Sequence, residues 1–491
     1  MRLKKETPLL PDRATPAFLP LARPSTSNFY GRLFRYGLLV GLAGMMSASV
    51  IGVNAQESAA RLTLEQAFTA ALKQHPALQQ AEAQIGAARA RTQQARAGMM
   101  PSIVLQGTAT DGPLGAPAFG PLGNPALYGT SPLSVQGMAG DPVKKQFGGG
   151  INITQTLFDF GRTQHLVAAR KGLSSAIEED AEAQKALVLL GVQQAYLNVL
   201  RAQQLANVQA ENRKQRETTV QQARLFMEGQ LKSGVDFQTA QANAAEANTG
   251  VLAAQNEVRA AFAALNNAMG ETKLTEYALT PIDMVPHAAT PQTIEQVTAL
   301  ALAQRPELKS AAFQRQAAEQ TIRGVRSELM PRVDAIASLG VVNPSGVIQN
   351  SKNYAVGMAI SIPLYTGGLV EGRVAEERQK RAITIAQEKE TVEAIKLQVA
   401  QAWLNLQTQQ EQVKSATTQV TSAYASLSLA SERYRLQLNT LVELTDAEAL
   451  ASRAAAALVN AHVGVDQAQA VLDWATGETY RRYGRLKKGT K

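Results

Sequence analysis

Tyr354-Ala355-Val356-Gly357-Met358-Ala359-Ile360-Ser361-Ile362-Pro363-Leu364-Tyr365-Thr366-Gly367-Gly368 is the stretch on which the fold turns. Tyr354, Val356, Met358, Ile360, Ile362 and Leu364 alternate with Ala355, Gly357, Ala359 and Ser361, the period of two expected of a strand with one apolar face. Gly367-Gly368 breaks that strand near 354–365. No proline follows from Leu369 to about Leu436, and Ile395, Val399, Ala402 and Leu406 recur at helical spacing. A helix of about 67 residues would be ~100 Å long, beyond any ordinary globular domain. Upstream, Met330-Pro331 stops a helical stretch, because proline lacks the amide donor, and a second short strand is expected near 333–340.

The same order of signals occurs earlier in the chain. Thr63-Leu64-Glu65-Gln66, with Leu72, Gln74, Pro76, Leu78 and Ala81, reappears 230 residues later as Thr293-Ile294-Glu295-Gln296, with Leu302, Gln304, Pro306, Leu308 and Ala311. That offset holds through Met100-Pro101 and Met330-Pro331, then drops to 207, where Ala195-Tyr196-Leu197-Asn198 matches Ala402-Trp403-Leu404-Asn405 and Gly270-Glu271 matches Gly477-Glu478. The difference of 23 residues falls between Pro101 and Phe147, a segment rich in Pro and Gly. The chain therefore reads as two unequal copies of one unit. In the first copy, strands are expected near 103–110 and 147–158 and a long helix near 162–228. Ile151, Ile153 and Leu157 are apolar against Asn152, Thr154 and Thr156, and Gly161 ends the strand.

Composition suits long helices with thin apolar seams better than one thick globular core. Of 491 residues, 45% are hydrophobic but only 5% aromatic. The absence of Cys excludes a disulfide scaffold, a thiol nucleophile, a Cys-based zinc site and a lipidated N-terminal Cys. The +9 charge would suggest nucleic acid, yet residues 1–55 carry seven basic against two acidic residues, so the remainder is only +4. A basic flank, an apolar run from Gly37 to Val53 and the small residues of Val53-Asn54-Ala55 read as an export signal; the run is short and diluted for a membrane anchor. The organisation expected is a signal over 1–55, repeats over 56–284 and 285–482, and a basic tail over 483–491.

Four half-exposed strands cannot close a transmembrane barrel, which needs at least about eight. Open edges are costly in lipid. The strands are therefore either covered by helices or completed by other copies of the chain. Phe147, Phe158, Phe160, Tyr354 and Tyr365 gather near the strand ends, as interface aromatics do, although core roles would serve them equally.

With these features in order, the sequence resembles the TolC-like outer-membrane efflux protein family over nearly all of the mature chain. The resemblance is carried by the duplication, by Pro101 and Pro331, and by Leu157-Phe158-Asp159-Phe160-Gly161-Arg162 with Leu364-Tyr365-Thr366-Gly367-Gly368. Leu231-Lys232-Ser233-Gly234-Val235-Asp236 and Leu438-Asn439-Thr440-Leu441-Val442-Glu443-Leu444 add to it. It implies a mainly α protomer with a small β portion. Three copies would form a twelve-stranded barrel in outer-membrane lipid, continuous with a long periplasmic helical barrel. It also implies a passive exit duct of a tripartite efflux pump, working with a periplasmic adaptor (membrane fusion) protein and an inner-membrane pump. The alternative is a type I protein secretion system with an ABC exporter; a third reading is a periplasmic coiled-coil scaffold.

No catalysis and no cofactor or metal are expected. His75, His165, His287 and His462 are scattered, and no phosphate loop or nucleophile elbow occurs. No nucleic-acid partner is expected either. Gly148-Gly149-Gly150 is expected just ahead of a strand. The resemblance makes the turns near 229–234 and 436–441 periplasmic tips, with Gly229, Lys232, Ser233, Gly234, Asn439 and Thr440 as adaptor-contact candidates. Plain turn chemistry would favour such residues anyway. Asp236, Glu443, Asp446 and Glu448 lie just past the tips. They are candidates for an acidic entrance ring, against which stands stabilisation of a helix N-terminus.

Overall fold

A computed structural model describes residues 61–111, 145–280, 293–343 and 351–483. The expected signal at 1–55, most of the long loop between the first two strands, the stretch around His287, and the tail beyond Tyr483 lie outside the described residues.

The first half runs β1 (Arg61–Leu62), α1 (Leu64–Gln74), α2 (Pro76–Ala97), β2 (Ser102–Asp111), β3 (Lys145–Phe158), α3 (Arg162–Glu228), α4 (Gly234–Met269) and β4 (Ala278–Leu279). The second half runs α5 (Ile294–Gln304), α6 (Pro306–Arg326), a 3-10 turn (Ser327–Leu329), β5 (Arg332–Asn343), β6 (Ser351–Ser361), α7 (Leu369–Arg435), α8 (Leu441–Ala475) and α9 (Glu478–Tyr483). Helices α3 and α7 are each 67 residues long. Thr63 caps α1 with a capping box, its Oγ1 accepting from Gln66 N while Gln66 Oε1 accepts from Thr63 N. Pro76 and Pro306 do not interrupt a helix; each opens one at the first position, where the missing N–H costs nothing.

Three expectations change in detail. Strand β6 ends at Ser361, short of Leu364, because Pro363 has no N–H for the ladder. The glycines Gly148-Gly149-Gly150 lie inside β3, opposite Thr108, Gly107 and Gln106. Helix α2 ends at Ala97, with Gly98 as its C-cap, so Pro101 marks the start of the strand rather than the last helical turn.

The four longer strands form one antiparallel sheet in the order β2-β3-β5-β6. The helices that join them keep that order. Below the sheet α2 packs on α3, α3 on α6 and α6 on α7; farther down α4 packs on α3, α3 on α8 and α8 on α7. Helices α3 and α7 thus run through both levels, and the packing is divided among several seams rather than gathered into one core. Phe68, Leu189, Val192, Tyr196, Phe262, Leu265 and Met269 form one apolar cluster where α1, α3 and α4 meet. Val297, Ala301, Ile395, Val399, Ala402, Leu406 and Leu472 form another where α5, α7 and α8 meet. Tyr196 Oη lies 2.9 Å from Leu62 O and 2.7 Å from Thr280 O, pinning the small parallel β1–β4 pair to α3.

Candidate functional site: the sheet face and the hairpin tips

The register divides the sheet into two unlike faces. Ile103, Leu105, Ile151, Ile153, Leu339, Tyr354, Val356, Met358 and Ile360 share one face, and all are exposed. Val356 is 82% exposed. Thr156, Asn152, Thr154, Asp334, Ser338, Ala355, Gly357 and Ala359 share the other with Val104 and Ile336, and apart from those two it is small and polar. Asp334, Ile336 and Ser338 are buried there, so the polar face is the concave one. Gly150 and Gly340, paired across β3 and β5, show how sharply it curves. A Cβ on Gly150 would stand 2.8 Å from Leu339 O and 2.9 Å from Gly340 Cα. Apolar outside and polar inside is the pattern of a membrane barrel, not of a water-soluble sandwich. No helix among the described residues is long and apolar enough to cross a membrane.

Strands pass into helices through left-handed residues. Gly161 (φ 82°) precedes α3, and Gly367 and Gly368 (φ 65° and 79°) precede α7. Phe160 (φ 50°) holds in the first half the place of Gly367 in the second. Glu328 ties the junction, taking Arg162 at 3.1 Å from α3 and Arg373 from α7.

At the far end, the tips are Gly229 to Ser233 and Leu436 to Thr440. Both are Schellman turns. Leu231 N donates to Phe226 O at 2.8 Å and Gln230 N to Met227 O at 3.0 Å; Leu438 N donates to Arg433 O at 2.7 Å and Gln437 N to Tyr434 O at 2.9 Å. The left-handed position is not Gly229, which is right-handed at φ −75°, but Gln230 (φ 59°) and, in the second tip, Gln437 (φ 63°). Glutamine is costly there. Gln230→Gly and Gln437→Gly are each expected to stabilise the protein by about 1 kcal/mol, read as a rise in the midpoint of denaturant unfolding. Unchanged midpoints would mean that the turns relax by another route.

The structure sorts the remaining candidates. Ser233 and Thr440 are N-caps, accepting from Val235 N and Glu443 N, and Gly234 is the first residue of α4. Asn439 is buried, its Nδ2 donating to Ala430 O at 3.1 Å, so its side chain belongs to the turn rather than to an exposed surface. Lys232 joins the tips by donating to Asn439 O at 2.8 Å, with its Nζ 4.7 Å from the centre of the Tyr434 ring. Asp236, half-buried, and exposed Glu443 lie in the first turns of their helices, and Asp446 is exposed on α8. Glu448 departs from the ring expectation. Its carboxylate is buried between α3 and α8, where Oε1 accepts from Thr219 Oγ1 at 2.6 Å and Oε2 lies 3.2 Å from Arg216 Nε. Burial pushes its pKa up, against the lowering influence of Thr219 and Arg216.

What sequence reasoning missed at the tips is apolar. Leu231, Val235, Leu436, Leu438 and Val442 are all more than half exposed. The signal was present, since Leu231 and Val235 match Leu438 and Val442 at the offset of 207. No group of His, Asp and Glu suited to a metal occurs among the described residues. His75 Nδ1 accepts from Ala77 N as a helix cap, and His165 Nδ1 lies 2.9 Å from Gln320 Oε1.

A family model described as outer membrane efflux protein matches residues 67–271 and 297–478. The outer membrane efflux protein BepC of Brucella suis biovar 1 is 24% identical over 260 residues, covering 52% of this chain and 56% of that protein. The alkaline protease secretion protein AprF of Pseudomonas aeruginosa is 27% identical over 247 residues, covering 47% of this chain and 49% of that one. The chain spans about half the length of the curated relatives it matches. Among solved structures, the outer-membrane channel OprN superposes with a TM-score of 0.71 at 20% identity, covering 84% of this chain and 89% of that one.

Proposed function

The chain belongs to the outer membrane efflux protein family, and on that premise we propose that it is the passive exit duct of a tripartite efflux pump. One observation carries the reading. A four-stranded sheet with an exposed apolar convex face and a polar concave face continues, strand order kept, into a wall of helices ~100 Å long. Among the described residues β2 and β6 each pair on one side only. Three copies joined edge to edge would close a twelve-stranded barrel, leaving no backbone group unpaired in lipid. The wall below would become a tube through the periplasm. Energy comes from an inner-membrane partner, and the tips meet a periplasmic adaptor. Asp236, Glu443 and Asp446, tripled by symmetry, would ring the entrance and favour cations.

Deleting the gene is expected to sensitise the cell to several unrelated drugs at once, and the purified protein to run as a heat-labile trimer and form channels in planar bilayers. Unchanged susceptibility with an exported protein trapped inside the cell would favour the second reading, a type I secretion duct, which the likeness to AprF supports. Neither phenotype would sink both.

A further inference from the structure

Below the level of the small β1–β4 pair each protomer consists of two helical hairpins, α3 with α4 and α7 with α8, joined along the seam between α3 and α8. Widening a tube made of such hairpins without unwinding them requires one hairpin to move against the other. Three ties oppose that motion near the tips. Lys232 reaches Asn439 O; Ala223 and Ala240 pack on Tyr434, Leu441 and Leu444; and Glu448 of α8 binds Thr219 and Arg216 of α3.

The third tie is chemically odd. The Glu448 side chain is 0% exposed; Thr219 and Gln215 donate to it, yet Oε2 has no hydrogen-bond partner. Arg216, itself 14% exposed, approaches Oε2 off the hydrogen-bond axis. A fully buried ionised carboxylate ordinarily needs donors on both oxygens. Beside it, a cavity of about 320 Å³ lined by Asn207, Glu211, Asn212, Gln215, Tyr424 and Ser452 has Glu448 in its wall. The charged and titratable groups around the carboxylate are Arg216 and Glu211 from α3 and Tyr424 and Tyr434 from α7. From α4, Asp236 acts on Tyr434, whose hydroxyl is buried without a partner.

We propose that Glu448, held by Thr219 and Arg216, is a protonation-controlled catch between the two hairpins, closing the periplasmic end more tightly in acid and releasing it as pH rises. The catch rests on the duct reading above. Its direction follows from linkage. Burial raises the pKa of Glu448 in the closed seam, and a carboxylate wetted by opening returns toward its ordinary range. The closed form therefore binds the proton more tightly, so lowering pH favours closure, and the charge that develops as pH rises favours opening.

The test is single-channel recording of the trimer in planar bilayers over a pH series that starts in the ordinary carboxylate range and runs upward, the direction in which burial moves Glu448. Wild-type open probability is expected to rise several-fold with pH. Glu448→Gln, a neutral mimic of the protonated acid, should stay low and flat, although every other acidic residue is common to both proteins. Thr219→Val removes a hydrogen bond that favours the charged form, and should move the wild-type midpoint to higher pH, which a merely structural contact would not do. A Glu448→Gln trimer that follows the wild-type curve, or that opens at every pH, would overturn the catch. Wild-type trimers that form no channel at all would retire the duct reading and the catch together.

Discussion

Gly150→Val is expected, on the duct reading, to abolish assembly of the proposed trimer and its insertion into the outer membrane, whereas Gly357→Ala, on the same face of the sheet, should leave both unchanged. The two glycines differ in what a side chain would meet. At Gly150 the new Cβ falls 2.8 Å from Leu339 O and 2.9 Å from Gly340 Cα, both backbone atoms of the paired strand; at Gly357 nothing lies within 4 Å. Overpacking against side chains that can turn aside costs about 1–3 kcal/mol. A ladder held by hydrogen bonds on both sides cannot turn aside, so the cost at Gly150 should reach or exceed the upper end. The sheet must flatten between β3 and β5, and a flattened sheet no longer presents its edges at the angle closure requires. The trimer band on electrophoresis without heating, with the amount of protein in the outer-membrane fraction, checks this. A Gly150→Val protein that assembles normally would show that the curvature is not set at this pair.

The second large effect is expected at the tips. Leu231→Asp combined with Leu438→Asp should reproduce the drug sensitivity of a deletion while the trimer remains intact. Leu231 and Leu438 are 57% and 64% exposed at matching places in the two tips, beside Val235 and Val442. On the duct reading, this repeated apolar surface on otherwise polar helices would be the adaptor's docking site, and central apolar anchors are worth about 2 kcal/mol or more each. Losing two per protomer should weaken adaptor binding by roughly a hundredfold or more. Neither residue is part of a buried cluster, so assembly should survive. Adaptor capture by the purified trimer separates the cases. Undiminished capture would move the docking surface away from these leucines.

The two effects illustrate what could be read from the chain before its shape. The two long helices were legible almost to the residue, because their signals are local, whereas β6 stops at Ser361, short of the expected 365. Alternation along Tyr354–Ile360 and the proline-free runs need only near neighbours in sequence. The tip residues were legible in place but not in role. Gly229 drew the eye as turn chemistry, yet the left-handed backbone fell on Gln230 and Gln437, whose Schellman hydrogen bonds keep a costly conformation. Asn439, a candidate for adaptor contact, and Glu448, a candidate for the acidic ring, are both buried.

The sequence by itself determined the order helix, strand, strand and 67-residue helix in each half of the chain, because periodicity and proline or glycine placement act through the local backbone. Only the tertiary structure decided the rest: the order β2-β3-β5-β6 carried down into α2-α3-α6-α7, the concave polar face, and the seam that buries Glu448 against Arg216. Those features depend on which faces meet across a hundred residues or more of chain. One copy's strands cannot choose their neighbours from their own pattern; curvature at Gly150 and Gly340, and burial at an α3–α8 seam, exist only once both copies stand side by side.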